Sequence, residues 1–97
     1  MNTDAKTKTA IHDFLSQEHI AVVSTVSEDA TPYAATVIFS VDNELTLFFA
    51  TRRGSQKHKN MDIHPTISVV VSNPELMVTV QVHGTATEVT DQIEMQQ

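Results

Sequence analysis

Residues Phe48-Phe49-Ala50-Thr51-Arg52-Arg53-Gly54-Ser55-Gln56-Lys57-His58-Lys59-Asn60 decide how the rest of the chain folds. A strand-like apolar run ends at Thr51, a glycine follows, and a helix-tolerant stretch runs from Ser55 to Ile63. It closes at His64-Pro65, because the residue before a proline is pushed out of the helical region. The segment from Arg52 to Pro65 is too long for a tight turn, so a helical crossover interrupts a run of strands. The stretch also gathers four of the chain's six Lys and Arg residues between Arg52 and Lys59, with no acid among them.

On either side of the crossover the sequence reads as strands. Ile20 to Val26, Pro32 to Val41, Glu44 to Thr51, Thr66 to Ser72 and Leu76 to Thr90 are rich in Val, Ile, Thr and Phe. SEDATP, the Asp42-Asn43 pair and SNPE (Ser72 to Glu75) supply turns between neighbouring strands. Before the first strand, Ala10, Ile11, Phe14 and Leu15 recur at helical spacing within Thr7 to His19, which predicts a short helix lying over one side of a sheet. Five strands, short turns and one crossover predict a mainly β (α+β) fold: a small antiparallel barrel or strongly curled sheet, since a flat sheet would expose its edges.

The 97 residues suffice for one domain, residues 1–97, near the size at which a second subunit helps bury apolar surface. TDQIEMQQ opens as a helix would but stops within about two turns, so we expect the chain to continue or this end to dock on a partner. Of a net charge of −6, removing the four basic residues of the crossover leaves −10 on the remainder. Such a surface repels nucleic acid, so the basic cluster is a local device. There is no cysteine, and no run approaches the ~20 apolar residues of a membrane helix. A soluble, cytoplasmic protein is expected.

Strand, glycine, then helix is the geometry in which free backbone N–H groups and the positive end of a helix dipole face an anion. Gly54 permits the turn, Ser55 can cap the helix, and Arg52 and Lys57 can supply full charges, all suited to a phosphate monoester. The same features fit a solvated basic helix end equally well. GxxxxGK[ST] is absent, and Gly54 and Gly84 are the only glycines, which excludes a dinucleotide fingerprint.

Read together, Pro32 to Val41, Thr51-x3-Ser55-x-Lys57, Asn60, His64-Pro65 and VTVQVHGTA resemble the FMN-binding split β-barrel family related to pyridoxamine 5'-phosphate oxidase. The resemblance covers roughly Ile11 to Val89 and runs without a gap from Ala35 to Gly84. It implies that Lys57 and Ser55, flanked by Arg52 and Gln56, bind the FMN phosphate. Thr51, next to Ala50, would bond the phosphate or ribityl chain, and the backbone around Thr36, Val37 and Ile38 would line the flavin ring. It further implies a homodimer with flavin near the subunit boundary, acting as an oxidoreductase on a small molecule.

Departures from the oxidase pattern are specific. Ala35 stands where the family has an arginine, Ser40 where it has a lysine, and Gln56 where it has an arginine. The oxidase's flavin-contacting glutamine falls at Thr79, with Gln81 on the same strand face as a substitute. The C-terminal substrate residues of the oxidase are missing, so the chain is similar to a general stress protein type of relative and pyridoxamine phosphate oxidation is not expected. A deazaflavin in place of FMN, or a haem-binding module with His83 or another histidine as axial ligand, is the alternative. His12, His19, His58, His64 and His83 are scattered, and no metal site is expected. Ser24 and Ser27 lack base and acid partners at recognisable spacing. His83 shares a face with Thr79 and Gln81 and could border a ring. Tyr33, Phe39, Phe48 and Phe49 read as core or subunit-contact side chains.

Overall fold

The structure is a computed structural model that describes residues 5–89. Helix α1 spans Ala5–Gln17, two residues earlier than predicted, and is followed by β1 (Ile20–Val26), β2 (Pro32–Val41), β3 (Leu47–Phe49), α2 (Gln56–Ile63), β4 (Thr66–Asn73) and β5 (Val78–Thr85). The strands form one sheet in the order β3-β2-β1-β4-β5, every pair antiparallel. After β3, at one edge, the chain crosses by way of α2 to the far side of β1. The sheet is a curled half-barrel with β3 and β5 as its edges.

Period-2 alternation sorts the strands into two faces. Ala21, Val23, Val37, Phe39, Ile67, Val69 and Val71 are buried on one, with Ile11, Phe14 and Leu15 of α1 and Met61 of α2 packed over them. Leu15 and Val71 are 1% and 0% exposed, so they carry the full transfer term of core side chains. The opposite face carries Ile20, Val22, Val26, Ile38 and Phe48, all exposed, and neither helix packs on it. Phe39 is thus core, Phe49 packs against the core, and Tyr33 and Phe48 are exposed.

Two strands are shorter than their composition suggests. The predicted run Glu44–Thr51 pairs only over Leu47–Phe49, because Asp42 Oδ1 accepts the N–H groups of Glu44 and Thr46 and Leu45 adopts φ +64°, folding residues 42–46 into a loop. The turn between β4 and β5 is displaced from SNPE toward Pro74–Met77. Asn73 Oδ1 accepts Leu76 N–H, Met77 N–H donates to the Pro74 carbonyl, and Met77 sits at φ +55°. Strand β5 ends at Thr85, and the predicted helix from Thr90 lies outside the described residues. No helix among the described residues is long and apolar enough to cross a membrane.

Candidate functional site

The crossover enters α2 through a turn with several open donors. Gly54 takes φ +82°; an added Cβ would meet nothing within 4 Å, so the demand on glycine is conformational rather than steric. Ser55 is extended (φ −67°, ψ 164°) and is the N-cap the sequence predicts, its Oγ accepting His58 N–H at 3.2 Å. Thr51 Oγ1 lies 3.2 Å from that same Oγ. Gln56 and Lys57 occupy the first two helical positions, where backbone N–H groups have no intrahelical acceptor. Lys57 is half-buried, and Arg52 and Arg53 are exposed beside it.

Strand β2 contributes an open edge. β3 pairs with it only at Phe39↔Phe49, Ser40↔Phe48 and Val41↔Leu47. Continued past Phe49, that register would set Ala50 beside Ile38 and Thr51 beside Val37. The strands part there instead, which leaves alternate backbone groups of Thr36 to Ile38 without a strand partner on that side. The side chains of Thr36 and Ile38 point to the bare face, whereas Val37 points into the core and offers only its backbone. Ala35 faces the core side and supplies no cation.

Three expected site residues do not join this corner. The Gln56 side chain turns away from Lys57 around α2, and its Nε2 donates to Asn60 Oδ1 at 2.7 Å. There it lines a cleft of about 600 Å³ with Ser27, Asp29, Tyr33 and Lys59, between α2 and the β1–β2 turn. Thr79 and Gln81 do share the bare face with Thr36, but the row Thr36–Val22–Val70–Gln81 spans three strand spacings, about 14 Å. Gln81 Nε2 donates to Ser68 Oγ at 3.2 Å. His83 is exposed on the same face, beside Ser68.

Two groupings with structural weight have no spacing signal in the sequence, one around Asn60 and one around His58. Asn60 is 1% exposed; its Nδ2 donates to Thr25 Oγ1 at 3.0 Å and ties α2 to β1. His58, Asp62 and Glu88 bring potential metal-ligand atoms within 4.8 Å of one another, although no such group was expected. Thirty residues separate His58 from Glu88, which hides the pairing from a spacing search. The ring's hydrogen bonds oppose a metal there. His58 Nδ1 accepts Gly54 N–H at 2.9 Å, so the neutral ring keeps its proton on Nε2, the atom that would have to bind the ion. A metal-binding histidine normally donates its other N–H, and this one is met by a donor.

A curled antiparallel half-barrel, crossed by a helix whose serine-capped, basic start adjoins an open strand edge, defines a split-barrel protein. The chain belongs to the pyridoxamine 5'-phosphate oxidase family: the family model described as "Pyridoxamine 5'-phosphate oxidase" matches residues 7–97. No curated protein matches the sequence. Among solved structures, an F420 reductase superposes with a TM-score of 0.73 at 24% identity, over 79% of this chain and 61% of its own. A conserved hypothetical protein of Mycobacterium tuberculosis gives 0.72 at 19% identity, over 88% and 56%. A pyridoxamine 5'-phosphate oxidase-related, FMN binding protein from Nostoc punctiforme gives 0.65 at 16% identity, over 94% and 50%. The chain therefore spans between half and about three fifths of the length of these relatives, and the likeness is one of fold.

Proposed function

We propose that this chain is an FMN-binding flavoprotein that works as a cytoplasmic homodimer and passes electrons or hydride to or from a small molecule. The observation that carries the reading is the adjacency of an open β2 edge and a basic, serine-capped helix start. Open strand N–H and C=O groups suit the heteroatoms of a flavin ring. Hydroxyls, two uncommitted helix N–H groups and cations suit a phosphate dianion. In this reading Lys57 and Arg52 neutralise the phosphate, Ser55 and Thr51 hydrogen-bond it or the adjoining chain, and Ala50 leaves room beside it. The backbone of Thr36 to Ile38 orients the ring. Bound flavin supplies the redox chemistry, so no protein acid or base is required.

The bare face motivates the dimer. Ile20, Val22, Val26, Ile38 and Phe48 form an apolar surface that water disfavours and a second copy would cover. Gln81, about 14 Å from Thr36 on that face, and Thr79, two residues before it on β5, contribute in this arrangement from the surface the partner covers.

A visible spectrum of purified protein before and after addition of FMN tests the reading. Perturbed flavin absorption that persists through gel filtration supports it. An unchanged spectrum of free FMN defeats it. A deazaflavin is the second reading, favoured by the likeness to an F420 reductase, and competition of the two flavins for the same sites decides between them.

A further inference from the structure

We infer that His58 is a positioning residue for the phosphate-binding turn, anchored through its far nitrogen by Glu88; this rests on the FMN reading above. A backbone N–H can only donate, so the 2.9 Å contact from Gly54 N–H fixes the Nδ1 lone pair as acceptor. The neutral ring then carries its proton on Nε2, which donates to Glu88 Oε1 at 2.9 Å. One tautomer satisfies both contacts. Asp62 Oδ2, 3.9 Å from Nε2, adds a second carboxylate on the same side.

His58 is also bound through its main chain, whose N–H donates to Ser55 Oγ. Ser55 is the N-cap and His58 lies three residues after it, in the place Glu or Gln holds in a capping box, but the cap's own N–H donates instead to the Arg52 carbonyl. The ring reaches one residue further back than a capping box requires, to Gly54 instead of the cap itself. That extra reach matters because Gly54 sits at φ +82° and, as glycine, has the most backbone freedom to lose. Pinned there, it holds the N–H groups of Gln56 and Lys57 and the Ser55 hydroxyl ready for an anion, which raises affinity by preorganisation.

Glu88 lies on the segment that follows β5, and Ala86 N–H donates to the Pro65 carbonyl at 2.8 Å, holding that segment against the end of α2. The placement of residues 86–88 is thereby linked to the shape of a turn some thirty residues earlier. A shift of Glu88 frees the ring and, through it, Gly54.

Two variants of the full chain separate the contacts. In His58→Asn the side-chain oxygen can replace Nδ1 as the acceptor for Gly54, while His58→Leu fills similar space and offers no acceptor. The readouts are exchange of the Gly54 amide in flavin-free protein, and the FMN dissociation constant from flavin fluorescence, with riboflavin as the control that lacks phosphate. His58→Ala and His58→Leu should speed Gly54 exchange and weaken FMN about fivefold, the size of one lost cap, leaving riboflavin binding unchanged. His58→Asn should recover most of both, and, like Glu88→Ala, which also lacks the far anchor, should show a smaller loss in the same direction. Equal Gly54 exchange in wild type and His58→Leu overturns the inference, as does equal loss of FMN affinity in the Asn and Leu variants. If His58→Ala does not fold, the Asn and Leu pair still decides. Wild-type protein that binds no FMN removes the flavin reading, and Gly54 exchange then decides alone whether His58 holds the turn.

Discussion

Both faces of this one sheet carry large apolar side chains, and those side chains meet opposite fates. On the covered face, Val23, Val37, Phe39, Val69 and Val71 are buried under two helices; on the other, Ile20, Val22, Ile38 and Phe48 stand in solvent, Ile38 with 74% of its surface exposed. The bare face also carries Thr36, Ser68, Thr79, Gln81 and His83, so it is a mixed surface and not a second core. Its apolar residues stand bare because α1 and α2 both lie on the same side, and among the described residues no other helix covers this face. A small domain that leaves an apolar face bare gains from association, and a site beside that face can be completed by it.

The largest effect expected from this contrast is on stability. Leu15→Ala on the covered side should cost about 2–5 kcal/mol, since it removes the transfer energy of the lost atoms and leaves a cavity. Ile38→Ala on the bare side should change the stability of an isolated subunit by no more than about 0.5 kcal/mol, because its surroundings are water. It should instead weaken self-association. Urea unfolding at several protein concentrations measures both quantities. A concentration-independent loss for Ile38→Ala as large as that for Leu15→Ala would break the contrast.

Next in size is the rim, where the open edge of β2 meets the crossover. Lys57→Ala removes a charge-assisted contact to the phosphate and should weaken FMN by about 1.5–3 kcal/mol, more than the loss of any single ring contact. Titration of the variant with FMN measures this. Affinity unchanged by the substitution would move the phosphate away from the turn. Comparable in size, and confined to the covered side, is Asn60→Ala. It leaves Thr25 without its donor and Gln56 without its acceptor, for a cost of about 1–3 kcal/mol in thermal or urea unfolding. Its effect on FMN binding should be secondary to that on stability. A stable variant with lost binding would show that α2 is placed by some other contact.

Much of this architecture is legible in the sequence, for identifiable reasons. Gly54 and Ser55 announce the start of α2, and His64-Pro65 its end, because each of those residue types has a narrow backbone preference. Along Thr66 to Ser72 the alternation of Ile67, Val69 and Val71 with Thr66, Ser68 and Ser72 also marks the covered face, whereas along Ile20 to Val26 both sets are largely apolar and the covered face is not legible. The short β3 is hidden because its cause is a side chain, Asp42, bonding backbone groups two and four residues on, together with a left-handed Leu45 that no propensity favours. The Gln56 side chain turns aside because adjacent helical positions point about 100° apart; it bonds Asn60, while its main-chain N–H stays beside that of Lys57 at the helix start. The bond from His58 to Glu88 joins residues 30 apart and has no spacing signal, yet the serine cap followed three residues later by a polar side chain was available to be read.

The smallest predicted effect sharpens the contrast at the turn that joins β1 to β2. Asp29 Oδ1 accepts hydrogen bonds from the Ser27 hydroxyl, the Thr31 hydroxyl and Thr31 N–H, with Ala30 held at φ +68° inside the loop. The Ser27 hydroxyl is the largest influence, and with Thr31 it holds the Asp29 carboxyl below the usual carboxylate range. A folded-state value below the unfolded one means that the ionised form is favoured by folding. The contribution is fully present above the unfolded value of about 4 and is lost as the pH falls through the lower folded value. Asp29→Asn removes the titrating group, so the variant should be slightly less stable near neutrality and should lose stability less steeply than wild type below about pH 4. Because Asp29 is exposed, the difference should be modest beside those of Leu15 and Asn60. Urea midpoints between about pH 2.5 and 6 measure it, and parallel acid limbs in the two proteins would show that the turn draws nothing from the charge.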